Sequence, residues 1–269
     1  MLTIILALAA GGGSFAALHY GADMGWGWSI FLGVVAFGVC QAVFGIFIQR
    51  KVKRDMEAVQ SILAAGHKRL EQKMQRWQLR PPGSVQAAQR EIAEDTKVFV
   101  REALAATESL VKYRLWVPMI LRQRATAQLQ LNWMIRDFAA VDRLLPQALI
   151  LDPTLAAIKM ARMYMLEKPT AEIEKVYRKG VRRVRYNDNV LLAAAWSWIL
   201  VRRGDHDGAF KALTEALRHS DNETLKRNHE CLMNNRPGHF SNSALGDQWY
   251  SLFLEEPKIR TQRQHVAYR

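Results

Sequence analysis

The chain has 269 residues, 49% of them hydrophobic, and a formal net charge of +13. Its two cysteines, Cys40 and Cys231, exclude a disulfide framework and suit a reducing compartment. The basic balance points to acidic surroundings, whether anionic lipid headgroups, nucleic acid or an acidic protein.

That charge is unevenly spread. Up to Ile48 there is no Lys or Arg, and Asp23 is the only acidic residue; from Gln49 onward charges recur every few residues. Met1 to Leu18 is an uncharged run, roughly 27 Å long as a helix. Trp26 to Ile48 is a second, of roughly 34 Å, enough for a hydrocarbon core of about 30 Å. The short link from His19 to Gly25 is bordered by Tyr20, Trp26 and Trp28, aromatics that favour the headgroup level. Arg50, Lys51, Lys53 and Arg54 follow the second run, and cations are retained on the cytoplasmic side. A transmembrane hairpin over 1–48 is therefore expected, with the N-terminus inside, the link outside and the long remainder in the cytoplasm. A cleaved signal peptide ending near Ser14 to Ala17 is the competing reading. Gly12 with Ala16, and Gly38 with Ala42, offer small pairs for close helix approach, and Gln41 a hydrogen bond between helices.

Residues 49–121 read as connecting helices. Val52, Met56, Val59, Leu63, Gly66 and Leu70 recur at coiled-coil-like steps of four and three, continued by Met74 and Trp77. The stripe packs on the next helix or on a second copy, which leaves a homo-oligomer open. Arg80-Pro81-Pro82-Gly83 is a strong breaker. Ser84 is the expected N-cap of a helix through about Tyr113, with Val85, Ala88, Ile92, Phe99 and Leu110 inward, and Pro118 marks the next break.

Residues 136–153 read RDFAAVDRLLPQALILDP and 204–221 read GDHDGAFKALTEALRHSD. At an offset of 68, Asp137 matches Asp205, Leu145 matches Leu213, Ala148 matches Ala216 and Leu149 matches Leu217. In these residues, spaced at twice a period of about 34, the chain resembles the tetratricopeptide superfamily. The resemblance implies an all-α solenoid of helix pairs over 122–223, in units 122–155, 156–189 and 190–223. Gly204-Asp205 and the stretch Glu167 to Thr170 then form turns, with Ala209 a small inter-helix contact. A helix around Leu225 to Met233 and another from Ser243 through Leu254 are expected to cap the stack over 224–256. In that last helix Leu245, Trp249, Leu252 and Phe253 point inward. Residues 257–269 form a basic tail.

No phosphate-cradling loop, nucleophile elbow or paired metal motif is found, so no enzyme activity, cofactor or metal is expected. His229, Cys231 and His239 are the best metal candidates, but their spacing is irregular and no fourth ligand accompanies them. Met160, Met163 and Met165 read as core filling. The resemblance implies a groove lined by the first helix of each pair, which gives Gln130 and Trp133, then Tyr164 and Lys168, then Trp198 and Arg202. Aromatics beside cations suit an extended acidic protein segment. Arg178, Lys179, Arg182, Arg183 and Arg185 form a second basic cluster, suited to a solvated face or to anionic lipid, as are Arg50, Lys51, Lys53 and Arg54. Nucleic acid is not expected, because no reading motif accompanies the charge. In layout alone, two spans and then helical repeats, the chain is similar to the HemY type of bacterial inner-membrane protein, which implies an accessory role in a biosynthetic pathway. The overall expectation is an inner-membrane scaffold that presents a cytoplasmic platform to other proteins.

Overall fold

The computed structural model describes residues 2–22, 24–79, 83–183 and 189–257. All regular structure among them is helical, with no strand. The chain divides into two compact units, Met1–Leu149 and Ile150–Arg269. That division falls inside the stretch 122–155, so the first expected helix pair belongs with the membrane-proximal elements.

In the first unit, α1 (Leu2–Ala16) ends in a π-helical turn, Ala17–Gly21. It packs antiparallel on α2 (Trp26–Leu79), a single helix of 54 residues and about 81 Å. In the link, the Met24 amide donates to the Leu18 carbonyl, and the Ser29 hydroxyl donates to the Met24 and Gly25 carbonyls. The two helices meet at Gly11 and Gly33. A Cβ on Gly11 would lie 2.8 Å from the Gly33 carbonyl oxygen and 2.9 Å from Phe37 Cβ, so no larger residue fits. The pairs expected at this crossing are not there. Gly12 and Gly38 face open space, while Ala16 and Ala42 are exposed. One residue along a helix turns the face by about 100°, which moves Gly12 off the seam that Gly11 occupies. Gln41 makes no interhelical hydrogen bond either; its Oε1 is buried without a partner among the described residues.

Beyond Ile48, α2 continues without a break and packs on α3 (Val85–Thr107). Val59, Phe99, Val100, Ala103 and Leu131 form one core, flanked by Ile62, Leu63 and Leu70. Gly66 receives the Phe99 ring. Ile48, Leu110, Tyr113 and Ile120 form another, flanked by Val52, Met56, Trp116 and Val117. The stripe on α2 is thus covered within the chain, except that Met74 is exposed near the far end. The Ser84 hydroxyl caps α3 by accepting from the Ala87 amide at 3.1 Å. Of the breaker and of the inward set on α3, Arg80, Pro81, Pro82 and the Val85 side chain lie outside the described residues. A 3-10 helix, Glu108–Tyr113, leads to α4 (Ile120–Met134) and the short α5 (Phe138–Leu144).

In the second unit, α6 (Pro153–Met165), α7 (Thr170–Val181), α8 (Val190–Arg202), α9 (His206–Leu217) and α10 (Glu223–Met233) pack in sequence. Helix α8 is buried over every residue from Leu191 to Leu200, as an all-round apolar helix must be. Four helices share one ending. Arg136, Glu167, Gly204 and Asn235 adopt positive φ of 58, 53, 81 and 52° after α4, α6, α8 and α10. At each, the next residue's amide reaches back five positions: Asp137 to Asn132, Lys168 to Met163, Asp205 to Leu200, and Arg236 to Cys231. This left-handed closure satisfies the last carbonyls of a helix and reverses the chain. Asp137 and Asp205, matched in sequence, then cap α5 and α9 by accepting from the Ala140 and Gly208 amides.

The expected final helix from Ser243 through Leu254 is not formed. A 3-10 turn over Ser243–Leu245 gives way to Gly246 at φ 58° and to α11 (Asp247–Tyr250), only four residues long. The positive φ at Gly246 breaks the helical path, and Phe253 turns left-handed in its turn. Trp249 and Leu252 are nevertheless fully buried, as their apolar pattern anticipated. A buried amide chain holds this segment down. Asn228 donates to Asn242, whose own amide donates 3.0 Å to the Ala194 carbonyl of α8. Lys258 to Arg269, the basic tail, lie outside the described residues.

Candidate functional site

Arg50, Lys51, Lys53 and Arg54 are all exposed on α2, one turn beyond the last apolar residues. Lys51 lies 4.4 Å from the centre of the Phe47 ring, and Lys53 pairs loosely with Glu57 at 3.7 Å. Asp55 faces the other way, into the first unit. Its carboxylate accepts from Lys112 Nζ at 2.7 Å and from the Tyr113 hydroxyl at 3.1 Å. Burial by itself raises the Asp55 carboxyl. Hydrogen bonds from Lys112 and Tyr113, with the charges of Lys112 and Arg54, outweigh it and hold the group below the ordinary carboxylate value. This lock fastens the 3-10 helix to the charged step of α2.

The second cluster sits in the Ile150–Arg269 unit. Trp198 of α8 is 4% exposed, edge-on to Tyr164 at 5.3 Å and to Trp249 at 5.8 Å. Glu255 ties these rings together. One of its oxygens accepts from Trp198 Nε1 at 2.8 Å and Arg202 at 3.2 Å; the other accepts from Trp249 Nε1 at 2.8 Å. Arg202 also lies 4.9 Å over the Trp198 ring. Aromatics beside a cation do hold a carboxylate here, but it is the chain's own. Trp198 is therefore covered rather than open to a partner. Lys168 is exposed, with its carbonyl accepting from Arg203. In the first unit, Trp133 is 3% exposed and packs edge-on to Phe138 at 5.4 Å, while Gln130 is exposed.

The basic cluster on α7 is partly used internally. Arg178 donates to Glu174 at 2.6 and 2.9 Å, and Arg183 donates to the Ile150 carbonyl. Lys179 and Arg182 are exposed, and Arg185 lies outside the described residues. A cleft of about 380 Å³ runs between α7 and α9, with Tyr177 and Trp196 stacked at 5.5 Å on its floor. Its rim mixes signs, with Arg178, Arg182 and Lys211 against Glu174 and Glu215. Burial pushes the Tyr177 hydroxyl up to about 12, with Glu215 adding to the effect and Arg178 opposing it. Lys159 escaped sequence reading. Burial, then the nearby charge of Lys179, moves its ammonium below the ordinary lysine value.

The His229 ring is stacked on Phe210 at 4.4 Å with Nε2 3.0 Å from the Thr214 hydroxyl, and Cys231 Sγ donates to the His239 carbonyl at 3.8 Å. No group of three His, Cys, Asp or Glu side chains with metal-holding geometry occurs among the described residues.

Two helices are long and apolar enough to cross a membrane, Leu2–Gly21 and Trp26–Trp77, and only 17% and 6% of their most apolar stretches are buried. A core helix of a soluble domain hides most of its surface, as α8 does, so these proportions fit lipid better than a protein interior. The molecule is thus an all-helical protein with two possible membrane-spanning helices. No protein-family model, curated protein or solved structure matches the chain.

Proposed function

We propose that this chain is a non-catalytic adaptor of a bacterial inner membrane, anchored by the hairpin of α1 and α2, with both remaining portions in the cytoplasm. One observation carries the reading: α2 passes unbroken from an exposed apolar span, through four exposed cations, into a packed helical domain. A helix that joins two solvents without a hinge holds its domain close to the bilayer, which is what an assembly platform for a membrane or envelope complex requires. Four helices with one shared closure support tetratricopeptide-like pairs, whose surfaces serve protein recognition. The self-occupied Trp198 cluster shifts the candidate surface toward exposed positions such as Gln130 and Lys168. An accessory role in a biosynthetic pathway, of the HemY type, is one specific form of this adaptor reading.

A second reading has its own support. Arg50, Lys51, Lys53 and Arg54 stand exposed beside the span, where each contributes about 1 kcal/mol toward an anionic leaflet. The two readings are compatible, since the cations orient the anchor while the helix pairs recruit.

Photo-crosslinking side chains at Gln130 and at Lys168, activated in native membranes, are expected to give discrete protein adducts that a probe at Ser61 does not give. Adducts to lipid or nucleic acid alone would remove the adaptor role. Recovery of the whole chain in the supernatant after a carbonate wash would remove the anchor.

A further inference from the structure

We propose that residues 114–122 make a third contact with the bilayer, a loop that enters the leaflet on the side of Arg50, Lys51, Lys53 and Arg54. The inference rests on reading α1 and α2 as spans and goes beyond it, because neither helix requires this loop to meet lipid.

The segment reads RLWVPMILR, seven uncharged residues between Arg114 and Arg122. It joins the 3-10 helix to α4. Ile120 faces inward, with Trp116 and Val117 packed against the core that holds Ile48. The rest of the apolar surface points away from the protein. Leu115 is 55% exposed, Met119 48% and Leu121 46%. Three large apolar side chains exposed within seven residues form a patch that water disfavours.

Its level along the hairpin identifies what covers it. The Leu2 amide donates to the Leu115 carbonyl at 3.0 Å. Gly11 crosses α2 between Gly33 and Phe37. Leu2 is nine residues back, or about 14 Å along α1, level with Phe44 of α2. Leu115 therefore stands about one helical turn on the apolar side of Ile48, beside side chains as exposed as Val43, Ile46 and Phe47. A bilayer that solvates those residues reaches Leu115 as well. Trp116 suits the headgroup level, and the exposed Arg114 and Arg122 supply cations to the same anionic surface. The Asp55–Lys112–Tyr113 lock holds the loop at this height from below.

The full chain, with Cys40→Ser and Cys231→Ser, is given a single cysteine by Leu115→Cys, Met119→Cys, Val39→Cys or Ser61→Cys. Each is labelled with a nitrobenzoxadiazole probe in vesicles of phosphatidylethanolamine and phosphatidylglycerol. All four positions are exposed, so none disturbs a core. Lipids spin-labelled near the top of the acyl chain are expected to quench the Leu115 and Met119 probes at least twofold more than the Ser61 probe. If Val39 is quenched while Leu115 and Met119 match Ser61, the hairpin stands and this inference is overturned. Probes at 115 and 119 that are shielded from water yet unquenched by lipid overturn it too, in favour of a protein covering the patch. Absence of quenching at Val39 sinks the membrane anchor and the loop together.

Discussion

Tyr177 is 6% exposed on α7 and stacks on Trp196. Its phenol holds the proton up to about pH 12 in the folded chain, against 10.0 when solvated. Between those values the unfolded chain ionises and the folded chain does not, so stability is intact below pH 10 and falls as pH rises toward 12. The loss at the upper end comes to about 3 kcal/mol. Urea titrations across this interval are expected to show a flatter decline for Tyr177→Phe; an unchanged slope would remove Tyr177 from the account. Gly66 makes a steric case at the same scale. A Cβ there would strike the Phe99 ring, whose first atoms lie too near their own backbone to swing aside. Gly66→Ala gains about 1 kcal/mol of helix propensity but costs about 1–3 kcal/mol in overpacking. Net destabilisation is expected in denaturant titrations in micelles. Gly45→Ala, which has open space, is expected to stabilise or leave stability unchanged.

At the level of elements, what sequence conveys depends on how local the cause is. The α2 stripe, the Ser84 cap, the turn at Glu167 to Thr170 and the matched caps Asp137 and Asp205 were legible, because each is set within a turn or two of helix. The left-handed closures at Arg136, Glu167 and Asn235 were not, since those residue types do not advertise positive φ as Gly204 does. Trp198 and Arg202 were correctly seen as a carboxylate site, yet the carboxylate, Glu255, returns from more than fifty residues downstream, which no local pattern encodes. The hairpin crossing was misjudged by a single position on each of several glycine-rich turns. That error is testable. Gly33→Leu forces atoms into the Gly11 backbone, whereas Gly38→Leu adds a side chain to the lipid-facing surface. Thermal unfolding in micelles is expected to fall by about 2–4 °C per kcal/mol for the first and to stay near wild type for the second. Equal effects would mean that the crossing lies elsewhere.

Across the whole molecule, the two cysteines report on opposite solvents. Cys40 sits in the apolar stretch of α2, and Cys231 sits near the end of α10, both free and partly exposed. The net charge of +13 lies entirely beyond Ile48, beginning with the cations beside the span, and transfer of that many cations across a bilayer is strongly opposed. Cys231 therefore belongs on the cytoplasmic side, and Cys40 within hydrocarbon. A membrane-impermeant maleimide added to intact cells is expected to modify neither. After permeabilisation of the membrane, Cys231 is expected to react while Cys40 stays protected until detergent disperses the lipid. Modification of Cys231 in intact cells would invert the orientation. Reaction of Cys40 in aqueous buffer, before any detergent, would mean that α2 is not surrounded by lipid at all. Since α2 carries the hairpin, the cation step and the first unit's core on one uninterrupted helix, that outcome would leave the exposed faces of Phe31, Val35 and Val39 without a solvent that tolerates them.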